Sequence, residues 1–366
     1  MRAALLEKGR SPLNVVDDIE VAPLAAGQVR VRVSNCGICH SDLTIIESDQ
    51  PPLLPMVLGH EAAGVVEDIG PGVRTLAPGD HVLLTPLAPC GRCYWCVRGD
   101  FTLCEEAQSL FAGRLPDGST PLSRHGDVVY RGLGVGGFGE VVVTTESGAV
   151  RIDPDVPLEV ACVLGCAAQT GVGAVLNTGK VVEGATVLVM GLGGIGISVV
   201  QGARIAGASR IIVSDPIAAR REAAVHFGAT DVIDPTADDV VERSKQLTNG
   251  IGVDYAFDAA GNARLIEAGL AAARRGGTIV CVGAPAADQV VTISPAVMHV
   301  VSEKKLLGCL FGSSNAHREV PRLLSLWRRG ALDLESMISF RRPLAEINEG
   351  LDDLRAGRGI RTVLSL

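Results

Sequence analysis

The sequence predicts an α/β protein in two parts, a mostly-β domain followed by a doubly wound parallel sheet. Three observations predict it. A chain of 366 residues is too long for one ordinary core, so two domains are expected. The first 150 residues carry short β-branched runs bounded by Gly, Pro or Asp, the pattern of strands joined by turns. From Gly184 onward strand-like and helix-like runs alternate, as they do where crossover helices cover a parallel sheet.

The elements follow in order. VRVRVSNCG, EAAGVVEDIG, GDHVLLTPL and GEVVVTTE are the expected strands of the first part. Around Pro157–Gly179 the chain becomes rich in Ala and Gly and reads as helical. TVLVMG is then a strand, GIGISVVQGARIAGA a helix, RIIVSD a strand and PIAARREAAVHFGA a helix. A short strand at DVID, a helix near ADDVVERSKQLT, the strand VDYAFDAAG, a helix at ARLIEAGLAAARR and the strand GGTIVCVG complete the alternation. Two amphipathic helices, HREVPRLLSLWRRG and LAEINEGLDDLRAG, precede a last strand, RTVLSL.

Composition narrows the function. Hydrophobic residues make up 47% and charged residues 20%, with no block of like charge, which describes a compact globular chain. A formal net charge of −8 excludes the basic footprint that nucleic-acid binding needs. The start, MRAALLEKGRSPLNVVDD, has no apolar core segment, and no run of 18 apolar residues occurs elsewhere. Neither a secretion signal nor a membrane span is expected, and the cytoplasm is the expected location. Ten cysteines in a reducing compartment point to metal or catalysis rather than disulfides.

Gly191-Leu-Gly193-Gly194-Ile-Gly196 has the spacing G-x-G-x-x-G. It follows one expected strand, opens a helix, and precedes Asp215 at the end of the next strand by 19 residues. The glycines let a pyrophosphate approach the backbone, the helix N-terminus supplies positive field, and the carboxylate takes the ribose hydroxyls. A Rossmann dinucleotide site is therefore expected. Asp215 would repel a 2′-phosphate, favouring NAD over NADP, although Arg220 and Arg221 on the next helix oppose that preference.

Cys90, Cys93, Cys96 and Cys104 form C-x2-C-x2-C-x7-C. Four thiolates so spaced can enclose one tetrahedral metal and leave no open position, a structural role. Zinc is expected there, and an iron–sulfur cluster is the competing occupant. A second motif, Asn35-Cys-Gly-Ile-Cys-His-Ser-Asp42, contains C-x-x-C-H. From spacing alone it reads as a haem attachment site, a redox pair or part of a zinc site. Other candidate ligands are His60 and Glu61 in LGHEAAG and Cys166 in LGCAAQTG, stretches that spacing cannot unite.

Taken together, GICHSD, GHEAAGVVEDIG, the four-cysteine loop, GCAAQTGVGAVLNT, GLGGIG, Asp215 and INEGLDDLRAGRGIRTVL resemble the zinc-dependent medium-chain alcohol dehydrogenases over essentially the whole chain. The likeness is greatest to the branch that includes the glutathione-dependent formaldehyde dehydrogenases. The resemblance implies a GroES-like catalytic domain over 1–167 and 311–366, with a Rossmann domain over 168–310. It implies two zinc ions per subunit, the catalytic one held by Cys39, His60 and Cys166 with Glu61 beside it. Asp42 would orient the metal-bound His, and Ser41 would receive the substrate proton. Thr170 and Val282 would lie near the cofactor, His40 and Arg361 at its pyrophosphate, and Arg220 near the adenosine ribose. Cys36 is left as a packed strand cysteine.

Two positions depart from the family pattern. Thr44 stands where many relatives end the proton relay with a His, and Gln108 stands where the formaldehyde dehydrogenases carry an Arg for the glutathione carboxylate. The activity implied is reversible oxidation of a primary alcohol, with hydride passing to NAD. Pro86, Leu87 and Phe311 would line an apolar pocket suited to aromatic, allylic or medium-chain substrates. The alternatives are oxidation of a thiol adduct of formaldehyde and, in a different class, a non-catalytic zinc- and nucleotide-binding protein. A homo-oligomer, dimer or tetramer, is expected.

Overall fold

The computed structural model describes residues 1–366 apart from Gln50 and Pro52, and the side chains of Gln108, Ser109 and Leu110 also lie outside the described part. Two compact units emerge. The first comprises Met1–Cys166, Asn315–Leu323 and Leu334–Leu366, and the second Ala167–Ser314 and Leu324–Asp333.

The first unit is organised by one long strand, Gln28–Ile38. Its Val29, Val31 and Val33 are buried while Arg30 and Arg32 between them are not, the period-two alternation of a strand with one face in a core. It pairs antiparallel with Glu61–Ile69, with Val141–Thr145 and with Arg361–Ser365. A register shift between Val33 and Asn35 changes the faces, and Cys36, Gly37 and Ile38 are all buried. These strands belong to a seven-stranded sheet, and a separate six-stranded sheet carries the opening strand Ala3–Leu6.

Pairing sets the ends of the strands in line. Gly37 lies opposite Glu61, and Thr362 lies opposite Ile38. Residues just beyond or at these ends, Cys39, His60, Glu61 and Arg361, are thereby gathered at one end of the sheet. Gly37 leaves room for the Glu61 carboxylate, since a Cβ there would come within 2.2 Å of Glu61 Oε2.

In the second unit six parallel strands take the order Asp231–Ile233, Arg210–Ser214, Thr186–Met190, Val253–Asp258, Ala273–Cys281, Lys305–Gly308. The order reverses between Thr186–Met190 and Val253–Asp258, the switch point at which such sheets bind ligands. The chain leaving Thr186–Met190 enters the glycine-rich turn and then the helix Gly194–Ile205.

Three segments differ from the sequence reading. The helix ARLIEAGLAAARR stops at Ala272, and the next strand begins at Ala273. Pairing of Ala273 with Val253, and an ion pair of 2.6 Å between Arg274 Nε and Asp254 Oδ1, draw this stretch into the sheet. The helical stretch Pro157–Gly179 is broken at Cys166, whose φ of −142° and ψ of −69° are not helical. The segment returning after residue 310 is shared between units. Within the second unit, Asp333 N–H donates to Gln201 Oε1 at 2.8 Å and Gln201 Nε2 donates to Asp333 O at 3.0 Å. Among the described residues no single helix is long and apolar enough to cross a membrane.

Candidate active site

Among the described residues, two groups of side chains in the first unit could hold a metal ion. In one, the ligand atoms of Cys39, His60, Glu61 and Cys166 all lie within 4.8 Å of one another, and all four residues are buried. Cys39 is the residue before the helix His40–Ile46, and Cys166 sits at the helix break.

Asp42 ties this group to the backbone. Its fully buried carboxylate accepts from Cys39 N–H at 3.0 Å and from Gly59 N–H at 2.9 Å, and lies 3.3 Å from His60 Nδ1. The carboxylate accepts from Nδ1–H, which turns Nε2 toward Cys39, where a bound metal would take the place of its proton. Burial opposes charge on His60, but Asp42 and Cys39 outweigh it and raise its pKa well above the ordinary value. The two thiols behave as a pair. A hydrogen bond from Cys166 drives Cys39 well below the usual thiol pKa, while that same bond and burial push Cys166 up.

Glu61 is fully buried, and neither carboxylate oxygen has a hydrogen bond. Burial pushes its pKa to about 7, against the pull of Arg361. Arg361 is itself 5% exposed, donates to Ile38 O at 2.7 Å, and places Nε 3.4 Å from Glu61 Oε2, an ion pair not aligned as a hydrogen bond. Arg361, expected at the cofactor pyrophosphate, thus lies buried with its Nε against the Glu61 carboxylate. The two residues are 300 positions apart in sequence, and no local pattern announces the pair. Two soft thiols, an imidazole nitrogen and a carboxylate without a hydrogen bond form a donor set that fits zinc.

Around this group Ser41 is exposed, with Oγ 3.8 Å from Cys39 Sγ. His40 and Thr44 are exposed too, and Thr44 Oγ1 donates to His40 O at 3.0 Å. The Thr44 hydroxyl is therefore used by its own helix. Cys36 belongs to neither group: it is buried, its thiol lies 3.6 Å from Gly37 O, and burial raises its pKa well above the ordinary value. Pro86 and Leu87 are buried at the end of the strand His81–Leu84. Gln108 lies outside the described side chains.

The second group is Cys90, Cys93, Cys96 and Cys104, whose sulfurs also lie within 4.8 Å of one another. A short helix, Tyr94–Arg98, ends at Gly99 with φ of 90°, and the turn Phe101–Leu103 delivers Cys104. Backbone amides point at the sulfurs, Cys90 N–H at Cys104 Sγ and Cys93 N–H at Cys90 Sγ, each at 3.3 Å. Amides of Cys96 and Glu105 bring the Cys93 thiol down to about 6, whereas burial pushes Cys96 up to about 12. A closed tetrahedral four-sulfur shell fits structural zinc.

The dinucleotide residues lie in the second unit. Gly191 has φ of 90°, and a Cβ on Gly196 would stand 1.8 Å from Gly191 O. A Cβ on Gly193 would meet nothing within 4 Å, so this part of the turn is open beside the start of the helix Gly194–Ile205. Asp215, buried, accepts from Leu192 N–H at 2.7 Å through Oδ2 and from Ile217 N–H at 2.8 Å through Oδ1. Each oxygen keeps a lone pair for a further donor. Thr170 is buried with Oγ1 unpartnered, Val282 is buried, Arg220 is half-buried with Nε unpartnered, and Phe311 is half-buried. An open glycine turn at a helix N-terminus, with a carboxylate fixed beside it, fits a dinucleotide.

Comparison with known proteins agrees with this chemistry. Residues 25–154 match the alcohol dehydrogenase GroES-like domain, and residues 194–328 match the zinc-binding dehydrogenase family. An S-(hydroxymethyl)glutathione dehydrogenase of Saccharomyces cerevisiae is 38% identical over 371 residues, covering 99% of this chain and 95% of its own. An alcohol dehydrogenase zinc-binding domain protein from Burkholderia ambifaria has a TM-score of 0.94 at 34% identity, covering 100% of this chain and 98% of its own. The benzyl alcohol dehydrogenase of Acinetobacter calcoaceticus has a TM-score of 0.93 at 30% identity, covering 100% and 99%. The chain belongs to the class III-like branch of the zinc-dependent medium-chain alcohol dehydrogenases, and is an oxidoreductase whose cofactors are zinc and NAD.

Proposed function

We propose that the chain oxidises a hydroxyl group of a small molecule and passes the hydride to NAD. Cys39, His60 and Cys166 hold the catalytic zinc in this reading, and the four-cysteine loop holds the structural one. The observation that carries it is the buried group of Cys39, His60, Glu61 and Cys166, with ligand atoms within 4.8 Å of one another. Zinc supplies Lewis acidity toward the hydroxyl oxygen and the nicotinamide supplies the hydride acceptor. Asp42 holds His60 in one tautomer and one orientation. Ser41 takes the substrate proton at Oγ, and its exposure lets the proton pass to water without a His at position 44. Arg361 balances the Glu61 carboxylate behind the ligands.

For the substrate, the 38% identity to an S-(hydroxymethyl)glutathione dehydrogenase over 99% of the chain supports a hydroxymethyl adduct of formaldehyde with a thiol. Gln108, in place of the Arg that the resemblance expects for glutathione, favours a second reading, a plain primary alcohol. The likeness to a benzyl alcohol dehydrogenase supports the same reading. Formation of NADH is to be followed with formaldehyde alone, with formaldehyde plus glutathione or another low-molecular-weight thiol, and with benzylic, allylic and medium-chain alcohols. Turnover that requires formaldehyde and thiol together is the expected result. Equal turnover on alcohols without thiol would transfer the assignment to the second reading.

A homodimer is the oligomer we infer. Lys305–Gly308 is an edge strand of the parallel sheet, and beside it in sequence Val297, Met298, Val300 and Val301 are 61%, 52%, 72% and 60% exposed. Exposed apolar surface next to an open strand edge suits self-pairing about a twofold axis. Sedimentation velocity should give a dimer, and Val300→Asp should shift it to monomer while leaving the circular dichroism unchanged. A parent protein that sediments as a monomer at micromolar concentration would contradict this.

A further inference from the structure

Two arginines follow Asp215 on the helix Ala218–Phe227, and a basic side chain near the adenosine ribose is what a 2′-phosphate requires. Arg221 is already engaged. Its Nη1 donates to Asp215 O at 2.7 Å and its Nη2 to Asp234 Oδ2 at 2.6 Å, and its side chain is 13% exposed. Asp234 follows the strand Asp231–Ile233, which pairs with Arg210–Ser214 so that Ser214 faces Ile233. Asp215 and Asp234 are therefore the next residues on two neighbouring parallel strands, and Arg221 spans them. The other Asp234 oxygen accepts from Thr236 N–H at 2.9 Å and from Thr236 Oγ1 at 2.6 Å. These Thr236 bonds, with Arg221 added, hold the Asp234 carboxyl below the usual range, so it is a charged anchor.

We propose that Asp234 and Arg221 together set the dinucleotide preference: Asp234 commits the Arg221 guanidinium to protein acceptors, which withholds it from a ribose 2′-phosphate. The same bridge fixes the carbonyl of Asp215, and with it the turn in which Ile217 N–H steadies the carboxylate. Arg221 is then a positioning residue for NAD and, when released, a ligand for NADP. This rests on the reading of Asp215 as the ribose acceptor.

The test is equilibrium titration of NADH and NADPH by nicotinamide fluorescence, with thermal melting of every variant. Asp234→Ala should tighten NADPH about tenfold relative to NADH, the gain of one charged hydrogen bond to phosphate. Asp234→Asn, which keeps the size and the Thr236 bonds, should move the ratio in the same direction. Adding Arg221→Met to Asp234→Ala should abolish the gain, and Arg221→Met alone should weaken NADH several-fold without favouring NADPH. An unchanged ratio in both Asp234 variants, or a gain that survives Arg221→Met, overturns the proposal. Asp215→Ala separates the two levels. If it leaves NADH affinity intact, the ribose reading has failed, whereas a loss there with an unmoved ratio at Asp234 condemns the bridge alone.

Discussion

Cys166→Ala protein is expected to lose at least about a thousandfold in turnover while binding NADH as the parent does. Cys166 is one of only two thiols in the buried group of four donors, so its loss leaves one sulfur, His60 and the Glu61 carboxylate, and opens a gap in the donor set. Lewis-acid stabilisation of developing charge amounts to several kcal/mol, and each 1.36 kcal/mol is about a tenfold change in rate. Metal content by mass spectrometry should fall from two zinc ions per chain to one. Cys39→Ala should behave alike, because the helix start relies on the Cys39 backbone amide, which Asp42 accepts from, rather than on its sulfur. Cys36→Ala is the contrast. Its thiol joins neither metal group, so both ions and most of the activity should remain, with a stability cost of about 1 kcal/mol. Turnover near the parent level in zinc-depleted Cys166→Ala protein would remove the basis for the proposed chemistry.

Cys96→Ala is expected to act on stability instead of chemistry. The loop Cys90–Cys104 has little regular structure beyond the Tyr94–Arg98 helix and one tight turn, so sulfur–metal bonds replace a core there. Removing one ligand from a structural metal site of this kind costs about 3–5 kcal/mol. For a chain of this size that corresponds to a fall in Tm of about 5 °C. Hydrogen exchange should rise first in residues 90–104, and kcat measured well below the new Tm should change little. Acid should produce the same state. Burial raises the Cys96 and Cys104 thiols, and protons compete with the metal for those sulfurs, so metal affinity falls as pH falls. A Tm within about 2 °C of the parent in Cys96→Ala protein would show that the loop does not need its metal.

What the sequence discloses depends on how far apart the cooperating residues lie. The four-cysteine loop was legible because its ligands fall within 15 consecutive residues. The glycine turn was legible because the strand, turn and helix that give it meaning are contiguous. Cys39, His60 and Cys166 carried no such signal, because strand pairing brings the first two together and a helix break brings the third, and a resemblance to a family was needed to join them. Arg361 shows the limit. The resemblance assigns it to the cofactor pyrophosphate, but its pairing with Glu61 comes from the Thr362–Ile38 register, a placement that depends on which strands become neighbours. The boundary at Ala273 escaped for a related reason. Helical propensity in ARLIEAGLAAARR is local, while the pairing with Val253 and the Arg274–Asp254 contact that end the helix are not. Arg220 and Arg221 looked alike in sequence and part in the fold, one with an unpartnered Nε and one spanning two strands.

The pairing of Arg361–Ser365 with Gln28–Ile38 also bears on how the protein is made. During synthesis the sheet that ends at Cys39 waits for a partner strand more than 300 residues downstream, and closing so long a loop adds to the entropy that folding must overcome. Most of the second unit, Ala167–Ser314, is one uninterrupted stretch and emerges whole before residue 361 exists. Glu61 therefore spends most of translation without its guanidinium, and the buried charge pair it forms with Arg361 is among the last features of the molecule to be completed.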